Sequence, residues 1–309
     1  MKVTILIPVF NERDTLEPLV QQIIDHIGPH EYHILFVDDG SADGSDEVLR
    51  ALHERLPTVD VIRFRRNFGK SAALAAGFAK AHGDLVITMD GDLQDDPKEI
   101  PNFIRKIEEG YDVVCGWKQR RRDPWHKTFP SRIYNAVVSR LFRLDLHDIN
   151  CGYKAFRIEA ARHLPIYGEM HRLIPAVAAN LGYRMAEIPV EHRPRRYGKS
   201  KYGAERFFRS AVDVLTVMFL SRYRVTPGHC FGRIGFLAVA LAVLCGAVAG
   251  LGWTVWDAPP VAGVVLTILA AGSLMGGLLM IGLGLLGELV VRHHHDPDPS
   301  PHIAQEHIH

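Results

Sequence analysis

The sequence predicts an α/β domain built on a mostly parallel sheet, followed by interfacial helices and two transmembrane helices. Three observations lead to this prediction. Short apolar runs alternate with amphipathic runs through the first half of the chain, acidic residues follow several of the apolar runs, and two long uncharged segments lie in the last third. Alternation of this kind is typical of a parallel sheet that carries helices on both faces.

The alternating runs give the predicted elements in chain order. The predicted strands are Val3–Val9, His33–Val37, Val59–Phe64, Leu85–Met89 and Asp112–Cys115. The predicted helices between them are Thr15–Ile27, Asp46–Leu56, Ser71–His82 and Lys98–Glu109. Ligands of such sheets bind outside the carboxyl ends of the strands, so the residues there are the first candidates for a site.

The fourth predicted strand ends in a group of oxygen-bearing side chains. Asp90, Asp92 and Gln94 occupy alternate positions, so on extended chain they point the same way. Their oxygens suit Mg²⁺ or Mn²⁺, ions that also take phosphate oxygens. The alternative is an acidic turn that begins the next helix, with Asp96 and Pro97 at its start. Both interpretations are compatible.

The first two predicted strands also end in acidic segments, residues 8–12 and 38–45. Carboxylates accept hydrogen bonds from ribose hydroxyls and base N–H groups, so the three strand ends together indicate a nucleotide site. Asp43 is interpreted as the N-cap of the following helix. Lys70, at the start of the third predicted helix, is expected to face phosphate or ribose, although Phe64 stands where a P-loop would need glycine.

Charge is unevenly distributed although the net charge is only +1. Eight Lys or Arg and one acid lie between residues 118 and 143, and ten Lys or Arg and two acids lie between residues 193 and 233. These segments indicate an anionic partner, namely phosphate, lipid headgroups or nucleic acid, or else a solvated face. The four widely spaced cysteines indicate neither a zinc site nor a disulfide framework, which fits a reduced cytoplasmic setting.

Two uncharged runs predict the transmembrane helices. The runs contain 23 residues between Arg233 and Asp257 and 30 residues between Asp257 and Glu288, and a bilayer needs roughly 20. Arginines flank the outer ends of the pair, whereas the turn at 257–260 has none, so the positive-inside rule places both ends in the cytoplasm. Glycines four residues apart are expected to pack the two helices together, namely Gly246 with Gly250 and Gly272 with Gly276.

The segment before the first span is amphipathic. Phe208, Val212, Leu215 and Phe219 share one helical face and follow a basic run, which favours an interfacial helix over a buried core helix. The His-rich tail is expected to be a polar disordered end. The predicted domains are a catalytic domain at 1–199, interfacial helices at 200–229, a transmembrane hairpin at 230–291 and the tail at 292–309.

Several short motifs are each weak evidence alone, but together, in this order and spacing, they are specific for one family. They are Pro8-Val9-Phe10-Asn11-Glu12, Val37-Asp38-Asp39-Gly40-Ser41, Asn67-Phe68-Gly69-Lys70, Met89–Pro97, Asn150-Cys151-Gly152-Tyr153-Lys154 and Arg196–Tyr202. The chain resembles the family-two glycosyltransferases of the GT-A fold from about Val3 to Arg292. Within them it is similar to the polyprenyl-phosphate sugar transferases of the dolichyl-phosphate mannose synthase type.

The resemblance implies a role for each matching position. The nucleoside would be held by Pro8, Phe10, Glu12 and Asp39, and the metal on the diphosphate by Asp90, Asp92 and Gln94. The acceptor phosphate would be held by Lys118, Lys127, Ser131, Arg196 and Lys201. Asp92, Lys118 and Lys127 would be the catalytic residues. Two departures stand out: lysine fills positions 118 and 127, where relatives often carry arginine, and Gly91 replaces the alanine common in the family.

The implied activity is an inverting transfer of a sugar from GDP-mannose or a UDP-hexose to a polyprenyl phosphate, with Mg²⁺ or Mn²⁺. The expected partners are the nucleotide-sugar, the polyprenyl phosphate and the bilayer of the inner membrane, and nucleic acid is not among them. The sequence leaves open whether the chain forms a homo-oligomer. The alternatives are a family-two enzyme of envelope polysaccharide synthesis with another acceptor, and a catalytically inactive lipid-binding membrane module. A processive synthase is excluded because Asp123 stands where the Gln-x-x-Arg-Trp motif needs tryptophan.

Overall fold

A computed structural model describes residues 1–119, 125–193, 214–220, 222–223, 226–254 and 260–294, with only the backbone described at 125–133, 260 and 292–294. The chain divides into two compact units, the first running to Met218 and the second beginning at Phe219. Each unit is described by itself.

The first unit is built on a seven-stranded sheet. Its strands are β1 Lys2–Val9, β2 Glu31–Asp38, β3 Val59–Arg63, β4 Leu85–Thr88, β5 Val113–Trp117, β6 Lys154–Arg157 and β7 Met185–Pro189. Their order across the sheet is β3-β2-β1-β4-β6-β5-β7. All neighbouring pairs are parallel except the two that β6 makes, with β4 and with β5. The predicted mostly parallel sheet is therefore confirmed, and β6 and β7 are strands that the sequence analysis did not identify.

Helices cover both faces of this sheet. They are α1 Leu16–His26, α2 Ser45–Arg55, α3 Lys70–Lys80, α4 Ile100–Glu108, α5 Trp125–Phe142, α6 Ile158–His163 and α7 Ile174–Asn180. Three short 3-10 turns lie at Arg13–Thr15, Pro97–Glu99 and Met170–Arg172. Buried residues of α1, α2 and α4 pack on one face, and those of α3, α6 and α7 pack on the other. The four predicted helices are confirmed to within a few residues of their ends.

The alternation of side chains along β1 explains the two layers. Ile5 and Ile7 contribute to the core on the α1 face, whereas Leu6 contributes to the core on the α3 face. Helix α3 lies very close to the sheet there, because a Cβ at Gly77 would come within 2.2 Å of the Leu6 side chain. This close packing fixes the height of α3 above the sheet. Because α3 follows β3, a parallel strand, its first residue, Lys70, lies at the carboxyl edge.

The second unit contains two long apolar helices, α8 Pro227–Thr254 and α9 Pro260–His294. Both are long and apolar enough to cross a membrane, with a mean hydropathy of 2.5 in the first and 2.3 in the second. Most of their large apolar side chains are exposed within the structure. Side chains of this kind need an apolar surrounding, which a bilayer supplies.

Glycine contacts set the spacing between α8 and α9. A Cβ at Gly235 would lie 2.8 Å from the Gly277 carbonyl oxygen, and a Cβ at Gly277 equally close to that of Gly235. At one end of the pair, the Glu288 carboxylate accepts a hydrogen bond from the backbone N–H of Gly228 at 3.1 Å. The two helices are therefore held at close range along one line of contact.

The glycines predicted to pack the two helices do not do so. Among the described residues, no heavy atom of the neighbouring helix lies within 4 Å of where a Cβ at Gly246, Gly250, Gly272 or Gly276 would be. The prediction was wrong because a four-residue spacing identifies a helical face of small residues but not the face that the neighbouring helix covers.

Of the predicted interfacial segment at 200–229, the structure describes residues 214–220, 222–223 and 226–229, and residues 214–220 are helical. Val217 is buried against the core of the first unit and Val214 packs beside it, whereas Leu215 is exposed. The remainder, including Phe208 and Val212, lies outside the described residues, so the interfacial helix stays a prediction.

Candidate active site

The ends of β1 and β2 are joined by hydrogen bonds through Asn11. Its backbone N–H donates to Ser41 Oγ at 2.9 Å, and its side-chain Oδ1 accepts from the N–H of Ala42 at 2.8 Å. Asn11 has a positive φ of 54°, a conformation that asparagine tolerates better than most residues. The predicted nucleoside residues Pro8, Phe10 and Glu12 are partly buried around this junction. The sequence analysis included Asn11 in a motif but gave it no role, although its place between a strand and an acidic residue was a usable signal.

Asp39 fixes the loop that leads to Lys70. Its carboxylate oxygens accept hydrogen bonds from the backbone N–H groups of Phe68 at 2.7 Å and Gly69 at 2.9 Å. Burial raises the pKa of Asp39, and the two N–H groups oppose that change. Beside it, a Cβ at Gly40 would lie within 2.8 Å of the backbone of Arg66 and Asn67, so the two chains meet at a point where only glycine fits.

Lys70 and Asp90 form an ion pair at the carboxyl edge of the sheet. Lys70 Nζ donates to Asp90 Oδ1, and about a third of the Asp90 side chain, 33%, remains exposed. Burial raises the pKa of Asp90, but Lys70 and Lys118 outweigh it and hold the pKa below the usual range. Asp90 is therefore an anion that already has a cation beside it.

Asp92 and Gln94 continue from Asp90 along the same loop. Asp92 Oδ1 accepts from the backbone N–H of Gln94 at 3.2 Å, and Gln94 Nε2 donates to the backbone oxygen of Arg193 at 3.2 Å. Among the described residues, no three His, Cys, Asp or Glu side chains form a ready metal site. The carboxylates of Asp90 and Asp92 and the amide of Gln94 nevertheless offer the hard oxygen donors that Mg²⁺ and Mn²⁺ prefer.

A buried ion pair lies behind this loop. Asp95 is fully buried, its Oδ1 lies 3.1 Å from Lys118 Nζ, and its Oδ2 accepts from the backbone N–H of Asp90 at 3.1 Å. Burial would lower the pKa of Lys118, but Asp95, with Cys151 and Asp90, raises it above the usual value. Lys118 thus has a partner inside the protein, and its predicted contact with the acceptor phosphate stays a prediction.

Asp96 begins the next helical segment, as the sequence indicated. Its Oδ1 accepts from the N–H of Lys98 at 3.1 Å, and Pro97 occupies the first position of the 3-10 turn. Its Oδ2 is also paired with Arg193. The acidic segment therefore both caps a helix and supplies candidate metal ligands.

The prediction that Asp43 is the N-cap of α2 is wrong by one residue, since Gly44 holds that position with a φ of 88°. Asp43 instead accepts hydrogen bonds from the N–H of Ser45 at 3.0 Å and from its hydroxyl at 2.6 Å. Asp43 also accepts from the N–H of Arg13 at 3.2 Å. The left-handed conformation at Gly44 is what moves the cap, because it turns the chain between Asp43 and the first helical residue.

Ser71 and His171 join the start of α3 to the 3-10 turn at Met170–Arg172. The backbone N–H of His171 donates to Ser71 Oγ at 3.1 Å, and the same oxygen lies 2.9 Å from His171 Nδ1. Burial lowers the pKa of His171 well below its usual value, with Lys70 and Arg172 adding to the effect. Sequence reasoning missed this contact because its partners are 100 residues apart.

The remaining predicted acceptor residues cannot be placed by their contacts. Lys127 and Ser131 lie in α5, in the part for which only the backbone is described. Arg196 and Lys201 lie outside the described residues, together with residues 257–259 of the turn and most of the tail. Their predicted roles stay predictions.

Comparison with known proteins places the site in a family context. The family model described as "Glycosyl transferase family 2" matches residues 4–164. The dodecaprenyl-phosphate galacturonate synthase of Rhizobium johnstonii is 36% identical, over 97% of this chain and 91% of its own length. The undecaprenyl-phosphate 4-deoxy-4-formamido-L-arabinose transferase of Edwardsiella ictaluri is 34% identical, over the same shares of the two chains.

Solved structures support the fold. The glucosyl-3-phosphoglycerate synthase of Mycobacterium tuberculosis, in complex with Mn²⁺, UDP and phosphoglyceric acid, superposes with a TM-score of 0.55 at 17% identity. The match covers 71% of this chain and 78% of that one. TarS of S. aureus in complex with UDP-GlcNAc gives a TM-score of 0.53 at 18% identity, covering 71% and 67% of the two chains. The first unit therefore has the GT-A-like fold that the motifs predicted.

Proposed function

The chain belongs to glycosyl transferase family 2, among the polyprenyl-phosphate sugar transferases, and on that premise we propose that it transfers a sugar from a nucleotide-sugar to a polyprenyl phosphate. The observation that carries the proposal is the joining of three strand ends at one sheet edge. Asp39 from β2 holds the loop that delivers Lys70, and Lys70 contacts Asp90 at the end of β4. A nucleoside diphosphate needs this combination of carboxylates and a cation.

The donor half of the site is proposed to surround the diphosphate. Asp90, Asp92 and Gln94 would hold Mg²⁺ or Mn²⁺ there, and their donor set fits such an ion. The ion supplies charge neutralisation at the departing diphosphate. Pro8, Phe10, Glu12 and Asp39 would hold the nucleoside, and a UDP-hexose or GDP-mannose is the proposed donor. The names of the relatives support a polyprenyl acceptor and a sugar, but they specify different sugars.

The acceptor half is proposed to use the basic residues. A phosphate monoester has a second pKa of about 6, so at neutral pH the acceptor is already largely ionised and needs no strong general base. Lys118, Lys127, Ser131, Arg196 and Lys201 would align it against the anionic donor. An acceptor phosphate oxygen then forms a bond to the anomeric carbon while the bond from that carbon to the diphosphate breaks. Attack from the opposite side inverts the anomeric centre.

The membrane location is proposed from the two apolar helices. α8 and α9 would cross the inner membrane as a hairpin, with the catalytic domain and both termini in the cytoplasm. The arginines near the outer ends of the pair and their absence from the turn support that orientation. The predicted division at residues 199, 229 and 291 belongs to this proposal.

The proposal is tested with the full chain purified in detergent. Radiolabelled UDP- and GDP-sugars are each offered with undecaprenyl or dolichyl phosphate and Mg²⁺ or Mn²⁺, and a labelled lipid product is extracted. The matched variant is Asp92→Asn, which keeps the size of the side chain and removes its charge. We expect it to lose most turnover, because the charge at the leaving group is no longer neutralised.

Three outcomes decide between this proposal and its alternatives. Sugar transfer to another acceptor would indicate a different family-two enzyme of envelope polysaccharide synthesis. Binding of polyprenyl phosphate without transfer from any donor would indicate the inactive lipid-binding module. Full activity of Asp92→Asn, or activity unchanged by excess chelator, would exclude the metal-dependent form of the reaction.

A further inference from the structure

The segment after β7, residues 190–193, lies beside the loop that carries the proposed metal ligands, residues 90–96. His192 forms an antiparallel bridge with Asp95, and the backbone N–H of Arg193 donates to the backbone oxygen of Gln94 at 2.9 Å. The two segments are therefore paired in the manner of a short piece of sheet. This pairing brings Arg193 directly against a proposed metal ligand that lies 99 residues before it in the chain.

The side chain of Gln94 makes a second contact with the same residue. Its Nε2 donates to the backbone oxygen of Arg193 at 3.2 Å and lies 3.4 Å from His192 Nε2. A backbone carbonyl oxygen can only accept, so the end of the amide that meets it must be the NH₂ group. The other end, Oε1, is the end that can bind a cation. The position of the Arg193 carbonyl therefore decides which end of the amide is offered to a metal ion.

The guanidinium group of Arg193 anchors that carbonyl. Its Nη2 is paired with Asp96 Oδ2, and its Nη1 donates to Gln22 Oε1 in α1 at 2.7 Å. Asp96 is buried, and the Arg193 side chain is only 33% exposed. A planar guanidinium that is bound at two of its nitrogens keeps little freedom of orientation. The backbone of Arg193 is therefore fixed against both α1 and the loop that carries Gln94.

We propose that Arg193 is a positioning residue for the metal site, which orients the Gln94 amide so that Oε1 rather than Nε2 meets the ion. This inference rests on the proposed function, because it takes Gln94 as a metal ligand. Replacing a residue that orients a metal ligand typically lowers metal affinity by roughly 10- to 100-fold. Two consequences follow. Arg193 should affect metal affinity through Gln94, and position 94 should require an amide rather than a carboxylate.

The first consequence is tested by measuring metal binding rather than turnover. Electron paramagnetic resonance follows Mn²⁺ binding to the full chain in detergent with saturating UDP or GDP, for Arg193→Met, Gln94→Ala and the double variant. Each single variant should bind Mn²⁺ roughly tenfold more weakly or worse, and the double variant should bind it no more weakly than Gln94→Ala. The control is Arg105→Met, which removes an exposed arginine from α4 and should match the wild type.

The second consequence is tested with Gln94→Glu, which leaves Arg193 and its ion pair intact and so serves even if thermal unfolding shows that Arg193→Met does not fold. A glutamate offers the ion a charged oxygen, which by itself should tighten Mn²⁺ binding. Beside the Arg193 carbonyl, however, it places one acceptor against another. We therefore expect Mn²⁺ to bind roughly tenfold more weakly. Gln21→Glu adds the same charge at an exposed position of α1 and should change nothing.

The outcomes separate this inference from the proposed function. If Arg193→Met leaves Mn²⁺ affinity unchanged, or lowers it equally with and without the Gln94 amide, the positioning role is wrong and the metal site stands. If Gln94→Glu binds Mn²⁺ as tightly as the wild type or more tightly, the inference is likewise overturned. If no form binds Mn²⁺ even with UDP or GDP, the metal site and the inference both fail, and the sugar-transfer assay then decides the proposed function separately.

Discussion

The two halves of the sheet hold their candidate site residues in different ways. At the ends of β1 and β2, Asp39 and Asp43 are held by N–H and hydroxyl groups of neighbouring loops. At the carboxyl edge of the half formed by β5, β6 and β7, the buried Asp95 pairs with Lys118 and the buried Asp96 pairs with Arg193. A backbone amide survives the replacement of any one side chain, whereas a lost cation leaves a buried charge uncompensated. The second kind of contact should therefore tolerate substitution less well.

The largest effect is expected from Lys118→Met. It leaves the fully buried Asp95 without its cation, and breaking a buried pair by removing one partner costs about 3–5 kcal/mol of unfolding free energy. Chemical unfolding of the purified full chain measures the loss. The control is Lys98→Met, since Lys98 is exposed. The double variant Lys118→Met with Asp95→Asn should recover much of the unfolding free energy. If Lys118→Met alone loses almost no unfolding free energy, the proposed difference between the two halves is wrong.

A smaller effect is expected from Asp39→Ala. The variant removes the acceptor for two N–H groups, a loss of about 1–3 kcal/mol, which water can partly offset because Phe68 is 55% exposed. Nucleotide binding should weaken as well, because the loop that carries Lys70 is released. Asp84→Ala is the control: Asp84 accepts one backbone N–H, that of Lys2, just before β4 begins. A loss of stability larger than that of Lys118→Met would reverse the proposed order.

The smallest effect is expected from Asp43→Asn, and it should depend on pH. Burial raises the pKa of Asp43, but hydrogen bonds from Ser45 and Arg13 outweigh it, so the folded-state pKa lies below the ordinary 3.8. The stabilisation is then present above pH 3.8 and is lost as the pH falls through the lowered pKa. Urea unfolding between pH 3 and pH 7 should show wild type and variant converging only at the acid end. Asp39, whose pKa is raised, should show the opposite slope.

The difference between the two halves of the sheet also explains which strands the sequence could predict. The strands β1 to β4 are apolar runs separated by amphipathic helices, so their periodicity is visible locally. β6 has only four residues and begins at a buried lysine, and β7 is a partly exposed strand at the edge of the sheet, so neither shows a clear period. They become strands because β4 and β5 offer them backbone partners, which is a tertiary effect.

The candidate site follows the same rule. Asp90 and Asp92 could be predicted because they follow the end of β4 by two and four residues. The contacts of Asp95 with Lys118 and of Ser71 with His171 could not, because their partners meet only after the sheet has formed. The glycines that pack α8 against α9 likewise could not be predicted, because a glycine repeat on one helix does not specify which of its faces the neighbouring helix contacts.

The close pairing of α8 with α9 has a consequence for how the two helices would fit a bilayer. At 1.5 Å per residue, the uncharged run of 23 residues is about 35 Å long and the run of 30 residues is about 45 Å, against a hydrocarbon core of about 30 Å. The two runs are mismatched to the lipid by different amounts, yet the Gly235–Gly277 contact and the Glu288–Gly228 hydrogen bond keep the helices from sliding independently. In a bilayer the two helices would therefore tilt as one body, and since the Glu288 contact fixes one end, the surplus length of α9 would lie toward the other end of the pair.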